Sequence, residues 1–261
     1  MQKSTGQIGR QWLTVVAVLM AIAINGISNV YPPAGKNTGE VSNTILGGVL
    51  ITPAGYAFAI WGLIYIGLIA YSIYQALPAQ RHQSAFQKAS WGIVGACAVQ
   101  IIWIYTFLTF HFWLSVLLIL GIAACLAYAY INTRSVKSTW KNRWLFQAPI
   151  GVYFGWITVA TVVNVAGALY VTDVPAEDLS TFSSVIDSST GGLIATGVMM
   201  AVSASLAAVV GLRYRDAAYP AVVVWALSAI AIRNSTLLPI ALVGVVLAVA
   251  LSVLIVRIKT T

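Results

Sequence analysis

Long apolar runs occupy most of the chain and are separated by short polar segments. Each run has about 20 residues, the length that a helix needs to cross the hydrocarbon core of a bilayer. Hydrocarbon offers no partner for an unpaired backbone N–H or C=O, and the sequence lacks the alternation typical of barrel strands, so every run is predicted to be helical. The predicted spans are residues 12–31, 53–77, 90–108, 113–131, 145–170, 191–212, 217–232 and 237–256.

The composition agrees with this pattern. Hydrophobic residues make up 60% of the 261 positions and charged residues 8%, whereas soluble domains average about 25% charged residues. The first span follows Lys3 and Arg10, as a signal peptide would, but it is longer than the apolar core of a cleavable segment, and we expect it to remain. The sequence therefore predicts an all-α integral membrane protein with about eight transmembrane helices.

Basic residues mark one side of the membrane. The net charge of +8 would favour a nucleic acid partner in a soluble protein, but 12 of the 14 Lys and Arg residues fall in the two tails and the even-numbered loops. The exceptions are Lys36 and Arg233. Because cytoplasmic loops collect positive charge, we expect both termini in the cytoplasm, the lipid bilayer rather than nucleic acid as partner, and a bacterial inner or thylakoid membrane as location. Asp216 lies on the basic side, and the acids of the other side are Glu40, Asp173, Glu177, Asp178 and Asp187.

Two loops on the side with few basic residues are long enough to have structure. The first, at 32–52, is rich in Gly, Asn and Pro, which are residues of turns. The second, at 171–190, is acidic and rich in Ser and Thr. It is either a solvated linker or a cap over an outward-facing pocket.

Residues for catalysis are missing from the predicted spans. An ionisable side chain inside a span is costly and usually functional, yet no Asp, Glu, Lys, Arg or His falls in one. Metal-binding and nucleophile motifs are also missing, and Cys97 and Cys125 behave as small hydrophobes. His111, in the turn after the third span, is either an interfacial residue or an axial ligand for haem iron. We expect no enzymatic activity and no metal-binding cluster.

Uncharged polar residues within the spans have two interpretations. Either they form hydrogen bonds between helices, worth about 0.6 kcal/mol each, or they line a pocket for a neutral ligand. These residues are Asn25, Gln100, Thr158, Thr161, Asn164, Ser203, Ser205 and Ser228.

Aromatic residues fall into two groups. One group suits the aromatic belts at membrane interfaces and comprises Trp91, Trp113, Trp140 and Trp144. The other group runs along the second, third and fifth spans. Aromatic faces that converge inside a bundle suit a flat, largely apolar ligand. The second group comprises Tyr56, Phe58, Trp61, Tyr65, Trp103, Phe107, Tyr153 and Trp156.

Three segments resemble motifs of the tryptophan-rich sensory proteins, the TspO/translocator-protein family. Residues 52–65 read Thr-Pro-Ala-Gly-Tyr-Ala-Phe-Ala-Ile-Trp-Gly-Leu-Ile-Tyr, which is similar to the proline-rich start and Trp-x-x-x-Tyr pattern of that family's second helix. Residues 100–103 are similar to the Asn-x-x-Trp motif of its third helix, and residues 153–164 to its fifth helix. The three segments fall on the corresponding spans in the same order.

The resemblance covers residues 12–170 and implies a five-helix bundle whose pocket is closed by the first loop. The implied ligands are porphyrins, haem, chlorophyll-type tetrapyrroles or sterol-like molecules. The chain departs from the pattern at Gln100, where Asn is usual, at Val152, where Pro is usual, and at 191–261, which has no counterpart in the motifs. The pocket residues carried over by position are Tyr56, Phe58, Trp61, Tyr65, Trp103, Tyr153, Trp156 and Asn164.

The expected organisation is a TspO-like five-helix membrane bundle at 1–172, followed at 173–261 by an acidic outer loop and three additional transmembrane helices. These helices offer a surface for a homodimer or a membrane-complex partner. The leading hypothesis is a protein that binds or senses a hydrophobic small molecule without catalysis. Two alternatives stay open: a small-molecule transporter or permease, suggested by Pro220 and Pro239 at helix starts, and an accessory, pigment-binding subunit of a larger complex.

Overall fold

The computed structural model describes residues 2–172 and 190–260, and eight long helices dominate this part of the chain. The acidic loop predicted at 171–190 lies almost entirely outside the described residues, with Asp173, Glu177, Asp178 and Asp187. The long helices are α1 (Gln2–Val30), α2 (Ile60–Ala76), α3 (Ser84–Leu108), α4 (Phe112–Thr133), α5 (Ala148–Thr172), α6 (Thr190–Tyr214), α7 (Ala218–Arg233) and α8 (Leu238–Thr260).

The prediction of an all-α membrane protein with about eight helices is confirmed. Seven described helical segments are long and apolar enough to cross a membrane, and α7 is a shorter apolar helix of 16 residues. Irregular turns precede two helices, a 3₁₀ turn at Gly55–Ala59 before α2 and a π turn at Arg143–Gln147 before α5. Pro149 has no N–H to donate to the preceding turn, which accounts for the interrupted hydrogen bonding at the start of α5.

Helices α1 to α5 form a closed bundle. Helix α1 packs against α2 and α3, α3 packs against α4, α4 packs against α5, and α5 returns to α2. The α3–α4 contact is especially close at Gly92, where a Cβ atom would lie 2.7 Å from the carbonyl oxygen of Cys125 and 2.8 Å from the Cβ of Ala129. Glycine is therefore needed at this crossing, because a larger residue would separate the two helices.

Helix α7 joins the C-terminal helices α6–α8 to the five-helix bundle. It packs against α6 and α8 and also against α5. At the α5–α7 contact, a Cβ atom on Gly155 would lie 2.9 Å from the carbonyl oxygen of Tyr219. The first turn of α7 thus lies directly on the N-terminal half of α5.

The structure revises the sequence-based position of Arg10, which was predicted to lie in an N-terminal tail. Helix α1 begins at Gln2, and Arg10 is helical and 4% exposed. Its Nη1 donates to the Ser90 Oγ at 2.7 Å and to the Gln75 Oε1 at 3.5 Å, and Gln11 Nε2 donates to the Gln75 carbonyl at 2.7 Å. The basic ends of α1, α2 and α3 are therefore joined by polar contacts that hydropathy alone does not indicate.

The first loop packs against the opposite end of the bundle. Asn37 and Glu40 form a capping box at its start, and Leu46 is among its buried side chains. A Cβ on Gly167 in α5 would lie 2.9 Å from Leu46 Cδ1, and a Cβ on Gly48 would lie 2.6 Å from the hydroxyl of Tyr170. These close approaches hold the loop directly on the C-terminal half of α5.

Candidate ligand-binding site

Aromatic side chains from α2 and α5 meet inside the five-helix bundle. The ring centroid of Trp61 lies 5.5 Å from that of Tyr65 and 6.2 Å from that of Tyr153. Phe58, in the turn before α2, lies edge-on to Trp156 with centroids 6.0 Å apart. Spacing on one helix predicts only the pair Trp61 and Tyr65, whereas the contacts to α5 depend on how the helices pack.

Helix α3 contributes to the same interior through Gln100 and Trp103. The hydroxyl of Tyr153 in α5 donates to Gln100 Oε1 in α3. Trp103 lies one turn further along α3, is buried, and stacks on Phe107 with centroids 5.2 Å apart. Gln100 stands where the family usually has Asn, and it accepts this hydrogen bond directly from an aromatic side chain of α5.

Three of the predicted pocket residues carry a buried polar atom without a hydrogen-bond partner. They are the hydroxyl of Tyr65, the indole Nε1 of Trp103 and the amide Nδ2 of Asn164. Buried polar groups are almost always hydrogen-bonded in native proteins, and each exception needs an explanation. A bound molecule with acceptor groups is one explanation, and it fits a cluster of aromatic rings.

Tyr56 and Asn164 lie apart from the contact between Trp61 and Tyr153. Tyr56 is 44% exposed and lies edge-on to Trp225 of α7, with ring centroids 5.3 Å apart. Asn164 lies further along α5, where its Oδ1 accepts from the Ser115 hydroxyl at 3.0 Å. Trp225 was not predicted, because the resemblance ended before α7 and gave no signal for a contact with this helix.

Several polar residues of the spans form hydrogen bonds between helices, as the first of the two interpretations predicts. Gln100 accepts from Tyr153, Asn164 accepts from Ser115, and Thr158 accepts from the Tyr219 hydroxyl at 2.9 Å. Thr161 and Ser203 instead donate to carbonyls of their own helices, those of Ile157 and Met199.

His111 lies outside the aromatic interior. It is exposed in the turn between α3 and α4, and its Nδ1 lies 3.1 Å from the Thr109 hydroxyl oxygen. This position fits the interpretation as an interfacial turn residue. Among residues 2–172 and 190–260, no group of three or more His, Cys, Asp or Glu side chains could hold a metal ion.

The fold and the aromatic interior define an all-α membrane protein built on a five-helix bundle. The chain matches the family model described as TSPO-like protein over residues 11–257, and it belongs to this family. The match includes α6–α8, whereas the motif resemblance ended at residue 170. Membership indicates ligand binding in a membrane in general terms. No curated protein and no solved structure matches the chain.

Proposed function

We propose that the protein binds a flat, largely apolar small molecule, such as a porphyrin, another tetrapyrrole or a sterol-like compound, among α2, α3 and α5. The observation that carries this proposal is the combination of converging aromatic rings with unpartnered buried polar atoms on Tyr65 and Trp103. Aromatic faces stack on flat ligands, and a few fixed polar groups orient them. The proposal includes no catalytic step.

The proposed mode of binding requires the aromatic rings to separate. Trp103, Tyr153 and Trp156 are each at most 6% exposed, and each ring contacts another aromatic ring. These neighbours are Phe107, Trp61 and Phe58, respectively. A ligand that enters this interior would replace ring–ring contacts with ring–ligand contacts. The hydroxyl of Tyr65 and the indole N–H of Trp103 would gain the partners that they lack in the free protein.

Titration with protoporphyrin tests this proposal. We expect the wild type to shift the Soret absorption of protoporphyrin, and Trp61→Leu to bind about tenfold more weakly because a stacking ring is lost. Tyr65→Phe is expected to bind about fivefold more weakly through the loss of one hydrogen bond, with undiminished stability, since that hydroxyl has no partner in the free protein. Trp140→Leu, at an exposed position, serves as the control.

Two results would contradict the proposed function. The first is a wild-type protein that leaves the protoporphyrin spectrum unchanged. The second is binding by Trp61→Leu and Tyr65→Phe with the affinity of the Trp140→Leu control.

We also propose that the basic end of the bundle faces the cytoplasm, with both termini on that side. Cytoplasmic segments collect Lys and Arg, and the polar contacts of Arg10 with Ser90 and Gln75 bring the predicted basic segments to one end. In a variant without Cys97 and Cys125, we expect a membrane-impermeant maleimide to label Ala34→Cys in intact cells. Ser135→Cys is expected to react only after the membrane is permeabilised. The reverse labelling pattern would overturn the proposed orientation.

A further inference from the structure

A groove with a volume of about 1100 Å³ lies between the five-helix bundle and the C-terminal helices. Helices α2 and α7 both pack against α5, and the groove lies between them. Trp225 lines one end of it, where its indole N–H donates to the carbonyl oxygen of Ala57 at 3.1 Å. The groove therefore lies outside the aromatic interior formed by Trp61, Tyr153 and Trp156.

Most of the groove has apolar walls. Leu63 and Ile66 of α2 form one side, Val222 and Trp225 of α7 form the other, and Val152 of α5 lies between them. Leu63 is 58% exposed and Ile66 is 69% exposed. Within a membrane, such side chains are in contact with hydrocarbon, so this part of the groove suits an acyl chain.

The basic end of the groove gathers cations from three different segments. Arg143 comes from the turn before α5, Arg215 from the link between α6 and α7, and Lys259 from the end of α8. None of the three makes an ion pair with a carboxylate in the described parts of the chain. Their charges are therefore available to an anion at the mouth of the groove.

Asp216 also lines the groove, and its carboxylate already accepts hydrogen bonds from other residues of the protein. Its Oδ2 accepts from the Tyr130 hydroxyl at 2.8 Å and from Arg134 Nη2 at 2.9 Å, and its Oδ1 accepts from the backbone N–H of Ala218 at 3.0 Å. Arg134, another lining residue, keeps a buried Nε without a hydrogen-bond partner. The carboxylate thus satisfies Arg134 in part and leaves the other three cations uncompensated.

We propose that this groove binds an anionic glycerophospholipid. Its phosphate lies among Arg143, Arg215 and Lys259, and an acyl chain lies along the apolar walls formed by α2 and α7. Basic pockets between transmembrane helices are suited to anionic headgroups. The position of the cations at the end of an apolar groove matches the order of charge and hydrocarbon in one lipid molecule.

Native mass spectrometry of the full chain in detergent, with equimolar phosphatidylglycerol and phosphatidylcholine of the same acyl chains, tests this site. We expect phosphatidylglycerol to be retained preferentially. We expect this preference to be lost in the triple variant Arg143→Ala, Arg215→Ala, Lys259→Ala. Its affinity for phosphatidylglycerol should fall roughly 100-fold, because each cation strengthens binding about fivefold. The control triple variant Lys88→Ala, Lys137→Ala, Lys141→Ala removes the same charge from exposed positions outside the groove and should bind as the wild type does.

A second pair of variants tests the apolar part of the groove. Ala221→Trp places a large side chain in the groove without changing its charge, and we expect it to weaken phosphatidylglycerol binding as well. Ala124→Trp, on an exposed face of α4, is the matched control. Equal loss in both triple variants or equal retention of the two lipids would overturn the proposal. A homodimer that forms in the wild type and in Ala124→Trp but not in Ala221→Trp would also overturn it, because a second copy of the chain would then fill the groove.

Discussion

Replacing Asp216 with Ala is expected to destabilise the protein by about 3 kcal/mol, because it leaves the largely buried guanidinium of Arg134 without its counter-charge and the buried Tyr130 hydroxyl without its acceptor. Asp216 is 7% exposed and accepts four hydrogen bonds. Two of these come from the N–H groups of Ala218 and Tyr219 at the start of α7, so the side chain also caps this helix. The same carboxylate accepts from Tyr130 and thereby connects α4 to the link before α7.

A series of variants separates the buried charge from the helix cap. Removing both charges in Asp216→Leu with Arg134→Met is expected to leave a loss of about 2 kcal/mol, since the uncompensated charge disappears while the helix cap and the acceptor of the buried Tyr130 hydroxyl are still lost. Chemical unfolding in detergent micelles, followed by circular dichroism, measures these differences. Lys137→Ala, at an exposed position of the link before α5, is the control and should change stability by less than about 0.5 kcal/mol.

Two outcomes would contradict the expected role of the Asp216–Arg134 ion pair. If Asp216→Ala loses no more stability than Lys137→Ala, then the contacts of Arg134 and Tyr130 with this carboxylate contribute nothing. If the double variant is as unstable as Asp216→Ala, then the cap on α7 and the hydrogen bond from Tyr130 account for the loss, and the ion pair does not.

The helices were predictable from the sequence because hydrocarbon imposes a length and a composition on each span. The predicted start of the seventh span at 217 and the observed start of α7 at Ala218 differ by one residue. The starts of α2 and α5 were less predictable, because hydropathy does not distinguish a 3₁₀ or π turn from an α-helix. Arg10 was predicted to lie in an N-terminal tail because hydropathy ignores the partners that Ser90 and Gln75 provide.

The candidate site was predictable only in part. Family motifs singled out Trp61, Tyr65 and Tyr153, which the packing of α2 on α5 brings together. The contact of Tyr56 with Trp225 required the position of α7, which no motif supplied. Pairs distant in the chain, such as Arg134 with Asp216, have no sequence signal of their own, because neither spacing nor composition indicates which loops meet.

Asp216 and Arg233 are both exceptions to the charge sorting, and both have specific structural contacts. The sequence placed Asp216 as the one acid on the basic side and Arg233 as one of two basic residues on the other side. Asp216 accepts from Arg134 and caps α7, while Arg233 donates to the first loop at the opposite end of that helix. Two residues that depart from the charge pattern thus make contacts at opposite ends of α7.

The first loop is expected to open about 30-fold more often in Arg233→Ala than in the wild type. Arg233 Nη1 donates to Asn43 Oδ1 at 3.0 Å, and its Nη2 donates to the carbonyl oxygen of Gly47 at 3.0 Å. Hydrogen bonds from a charged donor are worth about 1.5–3 kcal/mol when buried, and Arg233 is only partly buried. A combined loss of about 2 kcal/mol corresponds to the 30-fold change.

Hydrogen exchange measures this opening at the peptide level. Increased exchange is expected within residues 41–54, whereas α3 and α4, which make none of the Arg233 contacts described above, should exchange as in the wild type. Lys36→Ala removes the other basic residue of this side and is the matched control, since its ammonium makes no ion pair in the described parts of the chain. Because the loop packs on α5 near Gly167, a freed loop is also expected to release a ligand from the bundle faster. Unchanged exchange in Arg233→Ala would show that buried residues such as Leu46 hold the loop without help from Arg233.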